Sequence, residues 1–217
     1  TRPMAPSERP HPLAEVRAAF DLPSDVAYLD TAAMGPMPTV AMEAGLAGLA
    51  RKGRPWTMAS DDFTVPVDQL RGAFADLLGV PGDLEGVAIT PSVSYGTSTA
   101  AQVLPLSPGQ GVLVLDEQFP SDAYPWQRAA ARVGGAMHVV PRPPDDDWTT
   151  AVLAELERLG ERVGIVAVPP CHWIDGGRVD LVAVVAAARQ VGAALAVDAC
   201  QWLGAVPFPL PEVQPDV

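Results

Sequence analysis

Only one lysine, Lys52, occurs in the 217-residue chain; the other thirteen basic residues are arginines. Against 26 acidic residues this leaves a formal charge of −12. Such a balance argues against nucleic-acid binding, which relies on clustered Lys and Arg. Cysteine is equally scarce. Cys171 and Cys200 form no CxxC pair, which excludes a disulfide framework or a zinc ribbon. Each lies at the end of an apolar run, so both are expected to be buried thiols. No apolar run approaches the roughly 18 residues that a membrane helix needs. The start lacks the basic-then-apolar pattern of a signal peptide, so a cytoplasmic protein without membrane contact is expected. Neither GxGxxG nor a Walker glycine loop is present, which argues against a nicotinamide-binding domain.

What remains is a packed globular composition, 48% apolar and 18% charged. Residues 1–12 carry four prolines and no apolar period, and read as a loose arm. The arm is expected to extend to residue 37, with 38–217 forming one large, partial domain. Short apolar runs at 87–90, 112–115, 136–140, 163–168 and 193–197 read as strands covered on both faces. The third is entered through Gly134-Gly135. Between them, Val67, Leu70, Phe74 and Leu77 repeat at helical spacing, as do Val152, Leu153, Leu156 and Leu159. Leu181, Val184, Val185 and Ala188 form a third such set, with Asp180 as its N-cap. A helix is also expected from Pro38 to Arg51, after an extended piece at 26–30. Alternation of this kind predicts an α/β fold with a mainly parallel sheet flanked by helices. The proline-rich tail 207–217 reads as a loop whose last residues, Pro215-Asp216-Val217, resemble the start of a strand.

Ligands of an open parallel sheet bind beyond the carboxyl ends of its strands. Thr90-Pro91-Ser92-Val93-Ser94 opens a helix with small hydroxyl residues, either as a plain cap or as an anion site. Phe119-Pro120-Ser121-Asp122 follows the second run and offers a flat ring for stacking. His172 follows the fourth run, either as a structural histidine or as a functional one. His138, inside a strand, and His11, in the arm, are given no role. Asp198 ends the fifth run, where a carboxylate is costly to bury without a partner. It reads as a helix cap or as the partner of a protonated ring nitrogen.

Taken in order, these motifs resemble the aminotransferase class V family of pyridoxal 5′-phosphate (PLP) enzymes. That family includes cysteine desulfurases, selenocysteine lyases, kynureninases and isopenicillin-N-epimerase-like proteins. The likeness runs from Val26 to Val217. It rests on Tyr28-Leu29-Asp30-Thr31-Ala32-Ala33, on Phe119 to Asp122 and on Val197-Asp198-Ala199-Cys200-Gln201. The resemblance implies the large domain of PLP fold type I, truncated at its C-terminus, in a homodimer acting on an amino acid. It also implies roles. Ser92, Val93 and Ser94 would hold the cofactor phosphate. Phe119 would stack on the ring, where desulfurases usually carry a histidine, and Asp122 would help orient that region. Asp198 would pair with the ring nitrogen, Gln201 would bond the phenolic oxygen, and His172 or its neighbour Trp173 would supply a polar contact. The backbone of Ala32 and Ala33 would approach the substrate. The cofactor-binding lysine of the family is expected beyond position 217, since Lys52 does not match it. No catalytic residue is therefore assigned, and the chain alone is expected to be inactive. A catalytically inactive relative with a binding or structural role is the alternative.

Overall fold

A computed structural model describes residues 13–217, so the expected arm at 1–12, with His11, lies outside the described residues. The chain divides into two compact units, one up to Val65 and one from Pro66 to Val217. The first contains α1 (Leu13–Ala18), α2 (Thr39–Lys52), a 3-10 turn at Pro55–Thr57 and the start of α3 (Asp61–Leu77). Helix α2 fills the expected 38–51 span. Its last turn carries Arg51 and Lys52, where cations suit the helix dipole. None of its residues is buried, and Leu46 and Leu49 stand exposed. Residues 26–30, expected to be extended, are irregular; the Tyr28 hydroxyl donates to the Met34 carbonyl at 2.8 Å.

After α3, the second unit continues with α4 (Val93–Val103), β1 (Gly111–Leu115), α5 (Pro120–Arg132), β2 (Met137–Val140) and α6 (Trp148–Leu159). It then adds β3 (Val163–Ala167), α7 (Leu181–Gln190), β4 (Ala194–Ala196) and the one-turn α8 (Leu210–Val213). The sheet order is β2-β1-β3-β4 and every pairing is parallel. Four of the five expected strands are therefore present, each within a residue or two of its expected span. The fifth expectation is corrected. Residues 87–90 form no strand, and Ile89 is half exposed. A four-residue apolar run has no period of its own, and only a neighbour's free backbone makes it a strand. Here the Val87 carbonyl accepts instead from Arg71 Nε at 2.9 Å.

Alternation along the strands sorts the core into two layers. Leu113, Leu115, Val166 and Leu195 pack with Trp148, Val152, Leu156, Val184 and Val185 from α6 and α7. On the other face, Val112, Val114, Ile165, Ala167, Ala194 and Ala196 meet Ala100 and Ala101 of α4 and Trp126, Ala129 and Ala130 of α5. That second layer is built largely of alanine, which lets the helices sit close to the sheet. The entry to β2 uses both glycines noted in the sequence. Gly134 holds φ at 71°. A Cβ on Gly135 would fall 1.7 Å from the Gln110 carbonyl oxygen, so no larger residue fits without moving the backbone.

The tail is more ordered than a loop. It contains α8, buries Val213, and runs beside β4, where the Asp216 amide donates to Leu195 O at 2.8 Å. The Val197 amide donates to Val217 O at 3.0 Å, as expected of a strand-like end. The thiols are a second correction, since Cys171 is half-buried and Cys200 is exposed. Both follow their strands and sit in turns, outside the packed layers. Among the described residues no helix is long and apolar enough to cross a membrane.

Asp180 caps α7 as the sequence indicated, its carboxylate accepting from the Val182 and Ala183 amides at 3.0 and 3.1 Å. Asp180→Ala is expected to lower stability by about 1 kcal/mol. A urea titration of the two proteins checks this, and equal midpoints would show that the cap contributes nothing.

Candidate functional site

Because the strands are parallel, their exits gather at one edge of the sheet. Beside β4 this edge opens into a pocket of about 460 Å³. Val93, Gly96 and Thr97 of the first turns of α4 line one wall, Asp122 and Trp126 of α5 another, and Asp198 and Cys200 a third. Of the residues singled out in the sequence, the pocket brings together Val93, Asp122 and Asp198.

Asp122 is the notable member, a carboxylate only 4% exposed. Trp126 Nε1 donates to Oδ1 at 3.3 Å, and Gln118 Nε2 donates to Oδ2. Burial and the nearby Asp198 charge push its pKa up to about 6, against the opposing hydrogen bonds from Gln118, Trp126 and Thr97. Asp198 itself is half-buried and accepts the Cys200 amide at 2.9 Å. The Cys200 thiol, for its part, is pushed up to about 12 by local burial, by its hydrogen bond to Asp198 and by both carboxylate charges. The pocket thus holds two acids and no cation among its lining residues.

The remaining candidates lie around this pocket. Ser92 is the N-cap of α4, its Oγ accepting from the Tyr95 amide at 3.2 Å. Ser94 lines a separate groove between α4 and α5, together with Arg128 and Arg132. Phe119 stands at the N-cap of α5, 46% exposed, with its ring edge-to-face on Trp173 at 5.2 Å. Gln201 is exposed in the turn after Asp198. Ala32 and Ala33 occupy an exposed turn of the first unit.

His172 is not among the lining residues of the pocket beside β4. Its ring is 1% exposed and lies against Trp148, centroids 4.9 Å apart. Nε2 lies 3.1 Å from the Asp116 carbonyl oxygen and Nδ1 3.1 Å from Asp175 Oδ1. Nε2 is thus engaged by the Asp116 backbone and joins the exit loops of β1 and β3, while Nδ1 is buried beside the Asp175 carboxylate without hydrogen-bond geometry. Burial pushes the Asp175 carboxyl up but is outweighed by the Gly177 amide, His172, the Trp148 N–H and Arg142, which hold it below the usual range. Arg142, after β2, reaches Asp175 Oδ2 at 2.8 Å.

Sequence reasoning passed over Thr97, Gln118, Trp126, Arg142 and Asp175. The Asp122–Trp126 pair was legible, since residues four apart on a helix share a face. The Arg142–Asp175 pair was not, because it depends on β2 and β3 flanking β1. Among the described residues no cluster of His, Cys, Asp or Glu could hold a metal ion.

Two outcomes follow for the cofactor-free protein. The folded state holds the Asp122 proton more tightly than the unfolded chain, so the Asp122 contribution to stability is greatest below pH ~4 and is lost as pH rises through about 6. The Asp122 contribution to that loss is about 2–3 kcal/mol. Asp122→Asn is expected to flatten the profile, checked by urea midpoints at pH 4 and pH 7; an unchanged pH slope would contradict the assignment. Iodoacetamide at pH 8 is expected to alkylate Cys200 at least tenfold more slowly than an unperturbed thiol. Asp198→Asn should accelerate the reaction. Site-resolved mass spectrometry reads both rates.

The aminotransferase class-V family model matches residues 27–217. Kynureninase of Deinococcus radiodurans is 32% identical over 205 residues, covering 89% of this chain and 47% of the relative. Cysteine desulfurase of Salmonella newport is 26% identical over 209 residues, covering 88% and 49%. The chain thus spans about half the length of the curated relatives it matches. Among solved structures, the cysteine desulfurase CsdA from Escherichia coli superposes with a TM-score of 0.80 at 22% identity, covering 96% of this chain and 53% of that one. A C-DES mutant with glycine covalently linked to its PLP cofactor also superposes at 0.80, at 24% identity, covering 92% and 53%. These structural likenesses establish the PLP fold type I architecture. The chain belongs to the aminotransferase class-V family.

Proposed function

We propose that the full protein is a PLP-dependent enzyme acting on an amino-acid substrate, and that the pocket beside β4 receives the cofactor ring. The observation that carries this reading is the carboxylate pair. Asp122 and Asp198 share one pocket, and burial together with the neighbouring Asp198 charge raises the Asp122 pKa. A protonated pyridine nitrogen would supply the missing positive charge and stabilise both carboxylates. The donor set therefore fits the group.

Once bound, PLP supplies an electron sink for substrate bonds at the amino-acid α-carbon. The protein's part is to hold and tune it. Asp198 keeps the ring nitrogen protonated, and Asp122 reinforces that field from the buried side. The first-turn amides of α4, at Val93 and Ser94, face the phosphate with the positive end of the helix dipole. The Ser92 hydroxyl oxygen already accepts from Tyr95, which leaves its proton for a phosphate oxygen. Ser94 adds a second hydroxyl. Phe119 covers one face of the ring, and Gln201 takes the phenolic oxygen. Desulfuration or lyase-type cleavage, hydrolysis of the kynureninase type, epimerisation and transamination all remain within this scaffold's range. The exposed apolar residues of α2, Leu46 and Leu49, suit burial in a homodimer.

Titrating the full-length protein with PLP tests this reading through the visible absorbance of the bound cofactor. Asp198→Asn is expected to weaken binding about 10–100-fold, the scale of a lost charged hydrogen bond. Wild-type protein that takes up no cofactor, or an Asp198 variant of equal affinity, would overturn it. Residues 1–217 alone, treated with PLP and borohydride, are expected to show no adduct at Lys52 by mass mapping.

A further inference from the structure

The loop that carries Phe119 is held from outside its own element. Residues 116–119 leave β1 and enter α5, and Glu117 adopts φ 51°. A non-glycine residue keeps that left-handed conformation where its neighbours over-determine it. Within the loop, the Glu117 amide donates to Asp116 Oδ1 at 3.0 Å. From the β3 exit, His172 Nε2 meets the Asp116 carbonyl at 3.1 Å. Trp173 Nε1 donates to the Glu117 carbonyl at 2.7 Å, the shortest of these contacts. The same indole meets the Phe119 ring at 5.2 Å with an interplanar angle of 86°. Trp173 therefore grips the loop twice, once by its backbone and once by the aromatic ring itself.

We infer that Trp173 is a positioning residue, which fixes the Phe119 ring at the angle needed to stack on a planar heteroaromatic cofactor. The inference rests on the stacking role proposed above. An edge-to-face contact occupies one side of Phe119 and leaves the ring 46% exposed, so part of its surface stays open to a ligand. Trp173 is itself 44% exposed, and its position outside the packed layers means that replacing it leaves the core intact. His172 is the deep anchor of the same junction, with its ring enclosed against Trp148. Trp173 is the outer one, and it alone of the two touches Phe119.

The test has two arms. In the cofactor-free full-length protein, Trp173→Ala is expected to speed amide hydrogen exchange in residues 117–123 by about 5–10-fold, with α7 unchanged. Trp173→Phe, which keeps an aromatic partner but loses the N–H, should fall between wild type and alanine. In the PLP-bound protein, Phe119→Ala and Trp173→Ala are each expected to weaken cofactor affinity about 3–10-fold and to alter its visible circular dichroism in the same sense. Adding Trp173→Ala to Phe119→Ala should change affinity by less than about twofold, because the tryptophan acts through the phenylalanine. Unchanged exchange at 117–123, or fully additive losses in the double variant, would overturn the inference. Unaltered affinity and dichroism in Phe119→Ala would instead overturn the stacking role, and the exchange arm would still show whether Trp173 fixes the loop.

Discussion

Parallel pairing of β1 with β2 on one side and β3 on the other sends successive chain segments out of the sheet at a single edge. Each segment must turn back through a helix on one face or the other, and each turn leaves polar backbone to be satisfied. The exit loops answer that demand mutually. Carbonyls of the β1 exit meet His172 and Trp173 from the β3 exit, and Asp175 in that same loop gathers Arg142 from the β2 exit. The site is thus assembled from loops that are already braced against one another.

The pocket beside β4 shows the opposite arrangement. There, Asp122 is packed under α4 with a second carboxylate nearby and is stabilised only in part by Gln118, Trp126 and Thr97. A fully satisfied acid would have no reason to hold its proton to pH 6. The two regions differ: one is closed by contacts within the protein, and the other keeps two carboxylates with no cation among its lining residues, the deficit that the proposed cofactor ring would fill.

Much of this was legible in the sequence, for identifiable reasons. The strands at 112–115, 137–140, 163–167 and 194–196 are apolar on both faces and bounded by turn residues, which local pattern reveals directly. The cap at Asp180 and the glycine pair before β2 depend on near neighbours, and so were also readable. Residues 87–90 carry the same apolar signal, but a strand requires a pairing partner, and that information is not local. The burial of His172 and the exposure of Cys200 were not legible for a related reason. Whether a side chain after a strand turns inward or outward is set by the loop opposite it, here the Asp116 carbonyl for one and the Asp198 turn for the other. Trp173 stood in the sequence only as an alternative to His172, because its two contacts, through the N–H and through the ring, are to a loop 56 residues away.

The two faces of the sheet differ in how much change they can absorb. Against α6 and α7 the core is valine, leucine and tryptophan, whose shapes can be exchanged within a fixed volume. Against α4 and α5 the contact is Ala100, Ala101, Ala167, Ala194 and Ala196, each already near the smallest side chain available. Enlarging any of them would strain the packing of α4 and α5 on the sheet. Drift during descent should therefore be freer on the valine and leucine face than on the alanine face.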